Sequence, residues 1–314
     1  MIFGHNPLGD SNIDDQASQG VVSDDNAELL ARALEQRSDY RVLRELNTGA
    51  GLNVLPIQST GEKIGVVLDI ETTGLDYALD RPIEISVQRF LFDEIGRLTS
   101  VERPLSWLED PGCALPPQTS KMTGILEADV RGRSFDERAI TSALTGSDLI
   151  VAHNARFDRP FVDRRFPGLQ DNKWACSLTQ LDWSDLGFDG RSLGYLVMQA
   201  GWFFRGHRAQ NDVVALTALL GTLVAGGRTI LSHLLERSSA ATVRVDAINA
   251  PFGAKDVLKG NGYRWDMMRR VWAKEINEED VTAEALWLDY HVYQGRGAAA
   301  FHALTAKDRF KYGP

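Results

Sequence analysis

The sequence predicts an α/β fold: a mixed sheet with helices on both faces, followed by a small C-terminal α+β domain. Three stretches predict it. Ile64 to Leu75, IGVVLDIETTGL, is a nearly unbroken run of β-formers, as expected of a strand covered on both faces. Ile83 to Phe92 alternates apolar and polar residues, and Arg97 to Arg103 can pair with it across the turn at Asp93 to Gly96, giving an antiparallel meander. From Asp148 onward strand-like and helix-like segments alternate, which calls for parallel strands joined by helices.

Taken in order, residues 1–25 are polar and acidic, with Asp14, Asp15, Asp24 and Asp25 and few large apolar groups, and read as a disordered leader. Residues 26–60 read as a helical extension and linker. Asn26 to Glu35 carries Leu29, Leu30, Ala33 and Leu34 on one side of a helix. Ser38 or Asp39 can cap a second short helix running through Leu46. Thr48 to Lys63 is a glycine-containing linker. Residues 61–236 form the main domain. After its meander come a loop at Pro111 to Pro117, short helices from Thr119, and a helix from Phe135 to Leu144. The buried strand Asp148 to Ala152, DLIVA, is followed by a helix from Asn154 to Phe166. A short strand at Lys173 to Ser177 and helices at Ser192 to Ala200 and Gln210 to Ala225 complete it, with Gly226 and Gly227 ending the last helix.

Composition narrows the function classes. The 314 residues suffice for one large domain plus a smaller one. No apolar run reaches the ~18–20 residues that span a bilayer. The amino end lacks the basic and apolar regions of a signal peptide. Two cysteines, Cys113 and Cys176, give neither a disulfide framework nor a zinc pattern. A cytoplasmic, reducing setting and no membrane partner are therefore expected. The net charge of −9 argues against a protein that holds long nucleic acid by charge; an enzyme gripping a strand end through metal ions would bind it only weakly and salt-sensitively.

The chemistry concentrates in acidic residues. Asp69 and Glu71 lie two apart on a strand and point to one face. They emerge together at the carboxyl end of a buried strand, where Thr72, Thr73 and Gly74 break the pattern. Two unpaired anions there cost too much to be accidental, and a divalent metal is the expected counter-charge. In VAHNARFDRPF, Asn154 and Asp158 lie one helical turn apart, after a buried strand, on the rim where open α/β sheets gather ligands. In GHRAQNDVVALTALL, His207 precedes a helix and Asp212 sits in its first turns, beside the apolar face of Ala209, Val213, Leu216 and Leu220.

In order, D-x-E on a strand, N-x-x-x-D on a helix and H-x-A-x-x-D on a helix resemble the DEDD exonuclease superfamily. The subclass is the one with a histidine five residues before the last aspartate, DEDDh. The stretch of about 63–225, including M-T-G-I at Met122 to Ile125, is most similar to the proofreading epsilon subunits of bacterial replicative DNA polymerases.

The resemblance implies a ribonuclease H-like fold and two Mg²⁺ ions, with Mn²⁺ able to substitute. Asp69, Glu71, Asp158 and Asp212 would ligate the ions, and His207 would be the general base. It implies 3′→5′ hydrolysis of DNA ends, single-stranded or frayed, to nucleoside 5′-monophosphates in proofreading or repair. Thr72 and Leu75 would hold the terminal nucleotide, and Asn154 and Phe157 would line the strand's path. An RNA-trimming exonuclease and a non-catalytic nucleic-acid scaffold are the alternatives. No polymerase-binding tail is recognisable, so a polymerase partner stays open.

Residues 241–314 are expected to form the small C-terminal domain. Thr242 to Ala247 is a strand, Ala254 to Gly260 a short helix, Tyr263 to Trp265 with Val271 to Glu275 a hairpin, and Thr282 to Gln294 a helix. It is similar to small domains of unassigned function with a G-Y-R-W-D…W pattern. Its basic residues interleave with Tyr263, Trp265 and Trp272, which suits either single-strand binding or a plain aromatic core.

Overall fold

The computed structural model describes residues 24–46, 62–267 and 269–311. The expected disordered leader and the expected linker at Thr48 to Lys63 therefore lie outside the described residues, apart from their last two positions. The chain divides into two units, Met1–Leu43 and Arg44–Pro314.

In the first unit, α1 (Asp24–Glu35) opens with Asp24 and Asp25, which favour the positive end of the helix dipole. The second helix expected from Ser38 or Asp39 through Leu46 does not form. Residues 36–39 make a turn, in which the Arg37 guanidinium grips the Asp39 carboxylate at 3.0 and 2.8 Å. Within the second unit, the Arg44 and Leu46 amides donate to the carbonyls of Gly201 and Phe203 at 3.0 and 2.9 Å. A parallel pairing with a distant strand thus outcompetes local helix propensity.

The second unit is built on a mixed sheet. After β1 (Arg44–Glu45) come β2 (Lys63–Thr72), β3 (Pro82–Phe92), β4 (Leu98–Val101) and β5 (Leu105–Leu108). β3 runs antiparallel to β2, with Asp69 opposite Ser86 and Glu71 opposite Glu84. β4 and β5 both pair with β3 along its other edge. α2 (Pro117–Thr123), α3 (Glu127–Val130) and α4 (Glu137–Leu144) lead to β6 (Leu149–Ala152), parallel to β2, and α5 (Ala155–Arg165) leads to β7 (Trp174–Cys176), parallel to β6. α6 (Leu193–Gln199), β8 (Trp202–Phe203), α7 (Ala209–Gly221) and α8 (Ile230–Ser239) follow.

The period-2 geometry of β2 sorts its residues into two cores. Val66, Leu68 and Ile70 pack with residues of α4 and α5, among them Ile140 and Phe161. Val67 packs on the other side with Val213, Leu216 and Leu220 of α7. Asp69 and Glu71 continue the Val67 side, so the fold aims them at α7. α7 ends at Gly221, and its former continuation instead forms a bridge between Leu223 and Thr229, so Gly226 and Gly227 turn a loop rather than cap the helix.

The C-terminal region has its own core and a four-stranded sheet. β9 (Thr242–Ala247), α9 (Lys255–Gly260), β10 (Arg264–Asp266), β11 (Val271–Asn277) and α10 (Val281–Leu288) are followed by β12 (Ala300–Leu304), in the order β10-β11-β9-β12. Tyr263 is buried in this core and its hydroxyl donates to Glu284 at 2.8 Å, while Trp265 remains about half exposed (47%). Lys274 pairs with Glu284 at 2.7 Å.

After β12 the chain returns to the main sheet. The Trp174 amide donates to the Ala306 carbonyl. Arg159, fully buried on α5, donates to the carbonyls of Arg309, Lys307 and Gln170 at 2.6, 2.7 and 2.8 Å and to Asp163 at 3.1 Å. Arg309, also buried, donates to the carbonyls of Ser238 and Ala240, to Thr242 and to Glu275. These two guanidiniums tie the end of the chain to α5 and to the α8–β9 junction. Arg159→Ala leaves those carbonyls and a carboxylate without a donor. It is expected to cost about 3–5 kcal/mol of stability, measured by urea denaturation; a loss below about 1 kcal/mol would show that water replaces the guanidinium.

Candidate metal centre

β2 delivers Asp69 and Glu71 to the carboxyl end of the sheet, and α7 delivers Asp212 to the same place. One carboxylate oxygen from each of these three lies within 4.8 Å of the others. Asp158 comes from the opposite side, on the first turn of α5, 2% exposed. The Ile70 backbone N–H, from the residue between Asp69 and Glu71, lowers the Asp158 carboxyl, while Asp158 in turn raises Asp69, as close neighbours do. The four acids thus meet around one strand end, with Asp158 adjoining the tight group of three.

Burial sets the electrostatics. Desolvation pushes the Asp69 carboxyl well above the ordinary carboxylate range, and the charges of Asp158, Asp212, Glu71 and Glu84 push it further. Burial and Asp212 likewise lift Glu71 to about 8, against a small opposing pull from Arg208. Asp158 and Asp212 are raised for the same first reason, with backbone N–H groups partly offsetting it. Four acids that resist ionisation in the metal-free state form a site short of positive charge. Hard oxygen donors without histidine or cysteine fit a divalent ion of the Mg²⁺ or Mn²⁺ kind.

His207 lies just ahead of α7 with its side chain exposed and its backbone left-handed at φ 65°. That conformation is uncommon for a residue with a Cβ. The Arg208 backbone N–H that follows donates to the Asp212 carboxylate at 3.2 Å, and the His207 N–H lowers the same carboxyl. Asn154, at the start of α5, is also left-handed, φ 102°, a conformation asparagine tolerates better than most residues. Its side chain is exposed and lines a cleft of about 1550 Å³ between the main sheet and the C-terminal region.

Thr72 is buried and donates to the Gly74 carbonyl. Leu75 is 86% exposed at the tip of the following loop. Phe157 packs against the α5 core and touches Phe161, ring centroids 5.2 Å apart. Asp80 closes the loop over itself, accepting from the Thr73 hydroxyl and the Asp76 amide at 2.8 Å each. A Cβ at Gly74 would stand 2.5 Å from the Asp80 carboxylate, so the close approach requires glycine.

Two polar neighbours escaped sequence reasoning. Glu84 is completely buried, opposite Glu71, and Arg208 pairs with it. Alternation sets Glu84, Ser86 and Gln88 on one face of the strand without saying whether it is covered, and all three are buried. His153 bridges the Ser177 hydroxyl and the Arg191 carbonyl at 2.8 and 2.9 Å, and burial pulls it down to about 4, so the ring is neutral.

The exonuclease family model, RNase_T, matches residues 66–220. The chain is 31% identical over 162 residues to the PolC-type DNA polymerase III of Thermotoga maritima, a match covering 48% of this chain and 11% of that protein. It is 32% identical over 111 residues to ribonuclease T of Blochmanniella pennsylvanica, covering 31% of this chain and 51% of that protein. The chain thus spans about a tenth of the first relative and half of the second. A solved structure of exonuclease I superposes with a TM-score of 0.46 at 19% identity, covering 78% of this chain and 63% of that one. Among the described residues, no helix is long and apolar enough to cross a membrane. The stretch from Val66 to Leu220, matched by the family model and carrying the four acids around one strand end, makes this a chain with an exonuclease domain of the DEDD superfamily.

Proposed function

We propose that this protein is a divalent-metal-dependent 3′→5′ exonuclease that removes nucleoside 5′-monophosphates from the ends of single-stranded or frayed DNA. The observation that carries this reading is the convergence of Asp69, Glu71 and Asp212 within 4.8 Å, with the buried Asp158 close enough to raise Asp69 by its charge. When bound, two Mg²⁺ or Mn²⁺ ions would stabilise charge on the attacking and leaving oxygens of the scissile phosphate.

The residues of the chain do the rest. Asp69, Glu71, Asp158 and Asp212 supply the oxygen ligands. A ring nitrogen of His207 takes the proton of the attacking water; the 3′ oxygen leaves and a nucleoside 5′-monophosphate is released. The exposed position of His207 lets it meet a substrate from the solvent side. Leu75 offers an apolar edge to the terminal base, and Thr72 sits at the base of the same loop. Asn154, on the cleft, and Phe157 line the path of the strand behind it.

The loop itself can be tested. Asp80→Ala removes the acceptor that closes it. It is expected to raise KM on the order of tenfold with a smaller change in kcat, read from steady-state kinetics on short oligonucleotides.

A second substrate reading is favoured by the ribonuclease T match: RNA trimming at 3′ ends. The 2′-hydroxyl is the group that would separate the two. The test is digestion of 5′-labelled DNA and RNA of one sequence, single-stranded and mismatched duplex, with Mg²⁺ and with chelator. Stepwise 3′ shortening of DNA only with the metal ion supports the proposal; faster RNA shortening moves the assignment to the second reading. No shortening of either would refute nuclease activity.

A further inference from the structure

We propose that Glu84 is a positioning residue that sets where His207 and Asp212 stand. This rests on the exonuclease reading above. Glu84 lies on the central strand β3, directly across from Glu71, and its side chain is 1% exposed. Its carboxylate is fully engaged. Oε1 accepts from the Ser106 hydroxyl at 2.9 Å and from Arg208 Nη2 at 3.2 Å. Oε2 accepts from Arg208 Nε at 3.2 Å and from the Ala209 amide at 3.1 Å. With two donors on each oxygen, Glu84 has no lone pair left for a metal ion. It is an acid of the centre that is spent on protein instead.

What it grips explains why. Arg208 is the residue before α7 and Ala209 is the first residue in it. An α-helix begins with amides that have no partner inside the helix. At α7 no side chain of the preceding residue caps them; Glu84 supplies an acceptor to the first, from a rigid strand in the middle of the sheet. The forked contact with Arg208 fixes a plane as well as a point, as guanidinium–carboxylate pairs do. His207 precedes this anchor by one residue, in a left-handed conformation. Asp212 follows it within one turn and accepts the Arg208 amide at 3.2 Å. The anchor therefore stands between the proton acceptor and the fourth carboxylate, and ties both to the strand opposite Asp69 and Glu71. Losing a group that orients metal-site residues typically costs about 10–100-fold in affinity or activity.

The experiment compares wild type, Glu84→Gln, Arg208→Gln and the double variant. Glutamine keeps the shape of Glu84 but replaces an acceptor oxygen with a donor, which meets an Arg208 N–H whichever way the amide turns. Glu84→Gln is expected to lower kcat about 10–100-fold with KM within about twofold. Hydrogen exchange over residues 205–213 of the metal-free protein should rise, with that of 84–92 unchanged. The double variant should be no worse than the more damaged single one, because both remove one contact.

Wild-type kcat in Glu84→Gln, unchanged exchange at the start of α7, or losses that multiply in the double variant would each overturn the proposal. Should Glu84→Gln fail to fold, Arg208→Gln carries the same readouts from a partly exposed position (44%). Absence of turnover in wild type itself would refute the exonuclease reading alone, because the exchange comparison decides on the anchor without it.

Discussion

Asp158→Asn is expected to lower nucleolytic turnover on the order of 10³-fold while making the metal-free protein more stable. Both effects follow from the same burial. Asp158 is 2% exposed and held above its ordinary range, first by desolvation and then by Asp212. A carboxyl whose folded value is raised keeps its full stabilisation below the unfolded value of ~4. That stabilisation is lost as pH rises through the folded value. Glu71, lifted to about 8, behaves in the same direction. In chelator, the wild-type melting temperature should therefore fall between about pH 5 and pH 9. Asparagine cannot ionise, so the variant should fall less, and its advantage should widen with pH. Divalent ions should reverse the order, because they bind the ionised wild-type cluster and stabilise the fold by mass action. Thermal melts of both proteins at several pH values, with and without Mg²⁺, check this. A variant less stable than wild type in chelator at pH 9 would contradict the charge-strained account of the site.

His207→Ala is expected to lower kcat by ~10²–10⁴-fold and to leave metal affinity within about twofold. The split arises from where the residue sits. Its backbone N–H serves the Asp212 carboxylate, and alanine keeps that amide. Its imidazole is exposed and contributes no ligand to the acidic group. On the proposed mechanism, loss of the ring then removes the proton acceptor alone. His207→Gly relieves the cost of the left-handed backbone, φ 65°, and should be equally inactive, which separates ring chemistry from backbone strain. Single-turnover kinetics with Mn²⁺, alongside Mn²⁺ titration, read both quantities. Wild-type turnover in the alanine variant would remove His207 from the mechanism.

The legible parts of the site were those written in local pattern. A run of β-formers ending in two acids two apart fixes a face, and period 2 alone aims Asp69 and Glu71 at one helix. Asp158 and Asp212 could be placed on first turns because each follows a recognisable helix start. Glu84 is illegible because alternation cannot say which face of a strand is covered; here helices pack on both faces of β3, so Glu84, Ser86 and Gln88 are all inside. The segment through Leu46 has the local pattern of a helix, but its fate depends on amides reaching Gly201 and Phe203, far along the chain. β12 and the return of residues 305–311 to Arg159 escaped for the same reason. Contacts between segments this far apart in the chain leave no periodic mark in either partner.

The most direct measurement is a calorimetric titration of chelator-stripped protein with Mn²⁺. Two ions per chain, bound with release of protons and lost or halved in Asp69→Asn and Asp158→Asn, is the predicted result. Absence of binding, or binding that survives both substitutions unchanged, would contradict the claim that these acids form one metal centre.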